Sequence, residues 1–320
     1  MASARFTEIA EEIRNWGRWG TNDRLGTLNL LGAAARQRGA ASVISGEAFP
    51  LGIGISAGEG IQAGFIPGRV EPTRKMTVIN GPLSEDPEWI CSSEDELTMG
   101  IQAATHWDGL GHVSYRGQLY NGYPADSVNE AGAAILGIEQ LSTVIGRGVL
   151  LDIARLKGVD HLEPGYGISY EDLDDACAAQ GVEVLPGDLV LVRTGQQFAL
   201  DLDPSVPFGR PGPGRDKIAY TFPSAGFTME SARWFSHKDV AAVANDTLTC
   251  EVFPGENDED YLPVHLLHLV EMGLTQGQNF FLNNLASACA ADNRWTFLLD
   301  ATPLPLTGAV GTPLNPVALR

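Results

Sequence analysis

Apolar positions along this chain switch between two periods. Residues 6–16 (FTEIAEEIRNW) place apolar side chains at helical spacing, which predicts a short amphipathic helix. Strand candidates follow at 48–55, 74–79 and 97–104. The runs GVLLDI (148–153), DLVLVRT (188–194) and 239–244 are short and continuously apolar, as in strands covered on both faces. Residues 169–180 predict a helix, with Ser169 as N-cap and Asp172 three residues on, a capping-box pair. Further helices are predicted over 228–237, 263–272 and 279–290, and a last strand over 294–300. Pro263 suits a first helical turn. The interleaving of strands and helices gives a mixed α/β class. Residues 17–31 form a Gly- and Asn-rich loop with apolar anchors. The stretch 198–221, with PFGRPGPGRD in it, reads as a long loop, either a lid or a surface excursion.

Composition narrows the classes. The chain has 320 residues, 44% of them hydrophobic, so one sizeable core over 1–320 is expected. The net charge of -19 argues against a nucleic-acid or anionic-membrane surface, either of which needs a basic patch. No apolar run approaches the roughly 18 residues of a membrane span. The charged N-terminal stretch lacks the apolar region of a secretory signal. The four cysteines are scattered without a CxxC pair, against a disulfide scaffold or a structural zinc knuckle. A cytoplasmic protein with reduced thiols is expected.

The candidate chemistry sits in residues 102–112, QAATHWDGLGH. On an extended strand Gln102, His106 and Asp108 would share one face. His112 follows the Gly109–Gly111 turn, which can bend it back to the same place. Imidazole and carboxylate converging on one spot are the donors zinc or manganese takes, with an open position for water. The plain alternative is a polar strand end with satisfied histidines.

The segment resembles the HxGTHxDxPxH signature of the cyclase and kynurenine formamidase family of metal-dependent hydrolases, which includes isatin hydrolases. The stretches WGRWGTNDRLGTLNLL, GVLLDI, GDLVLVRTG, VANDTLTCEVFP and TGAVGTPLNP are similar to its long, mostly actinobacterial and fungal branch, so the likeness spans nearly the whole chain. The resemblance implies a single domain of swivelling β/β/α type, a curved sheet or barrel-like core flanked by helices. It implies His106 and Asp108 as metal ligands, His112 as acid/base, and His265 as a further ligand. Two positions depart from the pattern. Gln102 stands where the family has its first His, and Gln278 where it has a Glu. His268, one turn from His265, reads as packing or support.

The typical family site holds two cations. One carboxylate compensates two divalent charges poorly, so a single zinc or manganese ion on His106, Asp108 and His265 is expected, with Gln102 and Gln278 as weak or supporting ligands. The expected reaction is hydrolysis of an amide, lactam or lactone of a small molecule by activated water, with His112 moving the proton. The alternative is a metal-free lyase/cyclase or a small-molecule binding protein on the same fold. Trp107, Trp19, Leu30 and Tyr120 are the expected substrate wall. The resemblance further implies that the N-terminal arm, residues 1–35, shapes the pocket or a subunit contact, and that the protein is a homodimer or homotetramer. Arg193 and Asp246 read equally well as an ion-pair framework and as substrate contacts.

Overall fold

The computed structural model describes residues 2–55, 69–196 and 222–320. The loop expected at 198–221 lies outside the described residues. Fifteen strands are described: β1 (Ala48–Pro50), β2 (Thr73–Pro82), β3 (Cys91–Thr98), β4 (His106–Asp108), β5 (Val128–Asn129), β6 (Gly132–Ala133), β7 (Ile145–Asp152), β8 (Gly167–Ile168), β9 (Leu189–Arg193), β10 (Gly226–Phe227), β11 (Ala242–Asn245), β12 (Thr275–Gln278), β13 (Thr296–Asp300), β14 (Gly311–Pro313) and β15 (Val317–Leu319). Nine form one sheet, in the order β1-β15-β13-β7-β9-β11-β12-β4-β14, strongly curled into a half-barrel. Its four central strands β7, β9, β11 and β12 run parallel, and the flanking pairs are antiparallel.

The apolar runs end up in the middle because both of their faces are covered. Val149, Leu151, Val190 and Val192 point into one cluster, with Phe6, Ile9 and Ile13 from the helix Ala4–Ile13 and Trp234 and Phe235 from the helix Met229–His237. Leu150, Leu189 and Leu191 alternate into the other, with Trp107, Phe280 and Phe297. The predicted cap forms, and a second one that was not predicted accompanies it. Ser169 and Asp172 close a capping box on the helix Tyr170–Gln180, and Thr228 does so with Ser231 on Met229–His237. Among the described residues no helix is long and apolar enough to cross a membrane.

Three expectations are corrected. The strand expected at 97–104 is the end of β3 followed by a 3₁₀ turn, Ile101–Ala103, because the Gly100 N–H is taken by the Val70 carbonyl at 2.9 Å. The helix expected from 279 begins at Asn283, since Asn279 takes the left-handed region (φ 57°) as β12 ends. The helix from Pro263 continues beyond His265 as a π-helix, Leu266–Met272.

That wide turn buries His268. Its ring lies 5.6 Å from Phe235 and 6.1 Å from Phe227 between centroids, and its Nδ1 is 3.0 Å from Gln276 Oε1. An amide oxygen accepts, so Nδ1 carries the proton. Burial pushes the His268 pKa down to about 3, against the hydrogen bond it donates to Gln276. The folded chain therefore keeps His268 neutral in a range where the unfolded chain protonates it. Stability should fall on acidification below about pH 6.5, by up to ~1.4 kcal/mol per pH unit from this group. Urea unfolding between about pH 7 and pH 4.5 should show a shallower loss in His268→Gln than in wild type. Equal slopes would rule out this assignment.

Candidate active site

Register, more than sequence proximity, assembles the site. β4 lies between β12 and β14, with Gln278 opposite His106 and Gln276 opposite Asp108. Residues directly paired across an antiparallel ladder share a face. The two amides therefore meet the imidazole and the carboxylate. Gln278 Nε2 donates to Asp108 Oδ2 at 2.7 Å, and Gln276 Nε2 does so at 3.3 Å. Gln276 is held in that orientation by His268 on its other end. The Gly109 turn closes with His112 N–H on the Gly109 carbonyl at 2.9 Å, and His112 Nε2 returns to 3.6 Å from Asp108 Oδ1. His106 Nε2 is 3.4 Å from the same oxygen, and His265 Nε2 is 3.9 Å from Oδ2. Gln102, on its 3₁₀ turn, still arrives: its Nε2 is 3.5 Å from His112 Nδ1.

All of the predicted polar residues thus gather around Asp108, which has no exposed surface. Burial alone would raise its pKa, but His112, His106 and His265, which carry charge in the acid range where Asp108 would protonate, outweigh that and hold it well below the usual carboxylate range. His112 is pushed down by burial despite Asp108, so it is neutral near pH 7. For His265 burial also pulls down, yet the Glu251 carboxylate on Nδ1 prevails and the net direction is up.

Three residues escaped the sequence reading. Glu251 accepts from His265 Nδ1 and from the backbone N–H groups of Val264 (3.0 Å) and His265 (3.1 Å), which fixes the ring. Its only signal was an acidic residue inside the apolar stretch CEVF. Gln276 was one more polar side chain in TQGQ. Arg69 donates from Nη1 to the Gln102 carbonyl at 3.1 Å, and its charge reaches Asp108, His112 and His265. No motif marks it.

Unpaired atoms test whether a cation suits this set. His106 Nδ1 lies 2.7 Å from the Ala104 carbonyl, so it carries the proton and Nε2 presents a lone pair. His106 Nε2, Asp108 Oδ1 and Gln278 Oε1 are buried acceptors without a hydrogen-bond partner. A lone pair facing a carboxylate oxygen at 3.4 Å is repulsive unless a proton or a cation lies between them. Two donors about 2.1 Å from one ion at a tetrahedral angle stand roughly that far apart. Among the described residues no three His, Cys, Asp or Glu side chains converge to hold a metal by themselves. The set fits one divalent cation only with an amide oxygen or water completing it.

The expected substrate wall is not formed within the described residues of one chain. Trp107 sits between His106 and Asp108 in sequence, so strand alternation sends it to the opposite face. There it is fully buried against Phe280, its indole N–H on the Ala301 carbonyl at 2.7 Å. Tyr120 is buried and donates to Asp23 Oδ2 at 2.9 Å. Trp19 lies under the Arg18 guanidinium, and Leu30 packs on the second core. The N-terminal segment is engaged by the π-helix: Asn15 N–H and Trp16 Nε1 bond the carbonyls of Glu271 (2.9 Å) and Val270 (2.7 Å). Arg193 and Asp246 both make framework contacts, and Arg193 also lines a cavity of about 420 Å³ with Arg155, Asp160 and Asn283. Arg193 pairs with Asp152 at 2.7 Å, and Asp246 accepts from Thr194 and Gly195 at 2.7–2.8 Å.

The sequence model of the cyclase family matches residues 47–252. A crystal structure described as a novel cyclase is 34% identical, with TM-score 0.84 over 96% of this chain and 99% of that one. Isatin hydrolase A from Labrenzia aggregata, bound to benzyl benzoate, is 15% identical, with TM-score 0.58 over 87% of this chain and 94% of that one. A structure described as a "predicted metal-dependent hydrolase from Bacillus stearothermophilus" is 16% identical, with TM-score 0.52 over 85% and 97%. At these identities the last two share the fold alone. No curated protein matches the sequence. Both the matched segment and the 34% identical structure make this chain a member of the cyclase family.

Proposed function

We propose that this chain is a hydrolase that works with one divalent cation, zinc or manganese, and opens an amide, lactam or lactone bond of a small molecule. The observation that carries the reading is the lone pair of His106 Nε2 facing Asp108 Oδ1 at 3.4 Å, both buried and unpaired. The names of the fold relatives, isatin hydrolase and metal-dependent hydrolase, support it. His106 and Asp108 would hold the cation, with His265, fixed by Glu251, and the Gln278 amide oxygen beside them. A bound divalent cation supplies water of lowered pKa and polarises a carbonyl.

The remaining work falls to the chain's own groups. His112 keeps 23% of its side chain accessible, so its ring can be reached from solvent, while Nε2 is turned toward Asp108. The Gln102 amide N–H faces Nδ1 at 3.5 Å, which leaves the neutral ring's proton on Nε2; once the Gln102 amide turns its oxygen to Nδ1–H, Nε2 is free to take the proton from the attacking water. It then gives that proton to the leaving nitrogen or oxygen as the carbonyl–heteroatom bond breaks. Asp108, ionised 3.6 Å away, steadies the imidazolium in between. The free cysteines and the acidic surface charge support a cytoplasmic location.

A second reading rests on the Gln278 Nε2 that sits 2.7 Å from Asp108 Oδ2 and 3.3 Å from His265 Nε2. An amide donor there does part of what a cation would do, and favours a metal-free lyase/cyclase with His112 and Asp108 as its acid/base pair. Metal content separates the two. Plasma mass spectrometry of protein purified without chelator or His tag should find about one zinc or manganese per chain, lost in a folded His106→Ala variant. Protein that never holds metal would overturn the first reading in favour of the second. His112→Asn should lower kcat by roughly 10²–10⁴-fold while keeping the metal. Unchanged turnover would remove His112 from the mechanism.

A further inference from the structure

β2 and β3 form a two-stranded sheet of their own and project from the body as an arm with nearly every residue exposed. Arg69 stands at the foot of that arm, half-buried, a few residues before β2. Gly100, at the other side of the foot, donates its N–H to the Val70 carbonyl at 2.9 Å, and a Cβ built on it would come 3.7 Å from Arg69 Cα. From there the Arg69 side chain runs inward. Its Nη1 reaches the Gln102 carbonyl at 3.1 Å, and the Gln102 amide lies 3.5 Å from His112 Nδ1. One residue thus separates the guanidinium from the ring that moves the proton.

The carbonyl it bonds is a neutral acceptor. Burial pushes the Arg69 pKa down, and the charge of Asp108 opposes that without reversing it. A cation whose burial is not fully answered by the anion near it gains by meeting another anion. A divalent cation beside Asp108 would add to the positive charge there and favour the same visitor. Elsewhere the molecule is a poor host for anions, with 40 acidic against 21 basic residues.

Apolar space lies next to the same foot. Met99, which precedes Gly100, lines a cavity of about 410 Å³ with Ile53, Ile55, Leu97, Leu304 and Leu314, and Pro313 at its edge pairs with His106. A guanidinium set between apolar walls and the reacting groups fits an organic acid better than a bare inorganic ion. The carboxylate meets the planar N–H groups and the body takes the apolar room.

We propose that Arg69 selects the substrate, and that the substrate is an amide, lactam or lactone that carries a carboxylate on an apolar body. The bond that is cleaved rests on the hydrolase reading; the charge that is recognised rests on Arg69.

Hippurate and benzoate, set against their neutral counterparts hippuramide and benzamide, are the probes. Calorimetric titration of the His112→Asn variant reads their binding apart from turnover. Each acid should bind tighter than its amide by roughly 10–100-fold. Adding Arg69→Gln should erase that preference, and Arg69→Lys should keep part of it. A merely structural Arg69 would weaken acid and amide alike and leave the ratio unchanged. The folded His106→Ala variant separates the guanidinium from a bound cation: the preference persists there if Arg69 makes it. Binding of neither acid, equal binding of acid and amide, a preference that survives Arg69→Gln, or one that vanishes in His106→Ala would each overturn the proposal. Metal content is measured separately, so the hydrolase reading and the role of Arg69 can fail independently.

Discussion

A carboxylate cut off from water has to be answered by its neighbours, and Asp108 has no exposed surface at all. Three imidazoles, two amide N–H groups and the charge of Arg69 surround it. Each of these in turn needs its own support. His268 holds Gln276, Glu251 holds His265, and the Ala104 carbonyl holds His106. The arrangement exists because β12 pairs with β4 in one register, and a slip of one residue would turn both glutamines into the opposite core.

Much of this was legible in the sequence. The buried parallel strands announced themselves as short apolar runs, and one capping box was written in Ser169–Asp172; the one at Thr228 was not read. The gathering of His106, Asp108, His112, His265, Gln102 and Gln278 followed from the motif and from counting on from Gly273. The parity that joins His106 to Asp108 also sends Trp107 to the other face, and reading it through would have removed Trp107 from the substrate wall.

What was not legible depends on distant contacts. The polar stretch SSEDELT carries no face pattern, so its role as half of a projecting arm could not be told from a strand of the main sheet. Arg69 reaches the site through a loop crossing that no local spacing records. Glu251 matters only because the helix beginning at Pro263 happens to present His265 and two backbone N–H groups to it. The Asp152–Arg193 and Asp246–Thr194 contacts stand at the carboxyl ends of parallel strands, a usual place for ligands. Here they tie strand ends together, and Arg193 also lines a cavity of about 420 Å³.

Gly277 separates Gln276 from Gln278, and a Cβ there would come within 2.6–2.7 Å of Phe280, Trp107 and Ala244. The backbone of β12 is thereby pinned, while glutamine and glutamate differ by a single terminal atom and almost nothing in shape. Position 278 can therefore change from donor to anion by point mutation without a change of shape, provided a cation or a proton answers the new charge beside Asp108. For an evolving lineage this is an isosteric toggle: the charge balance around Asp108, and with it the cation the pocket tolerates, can drift while the fold stays put.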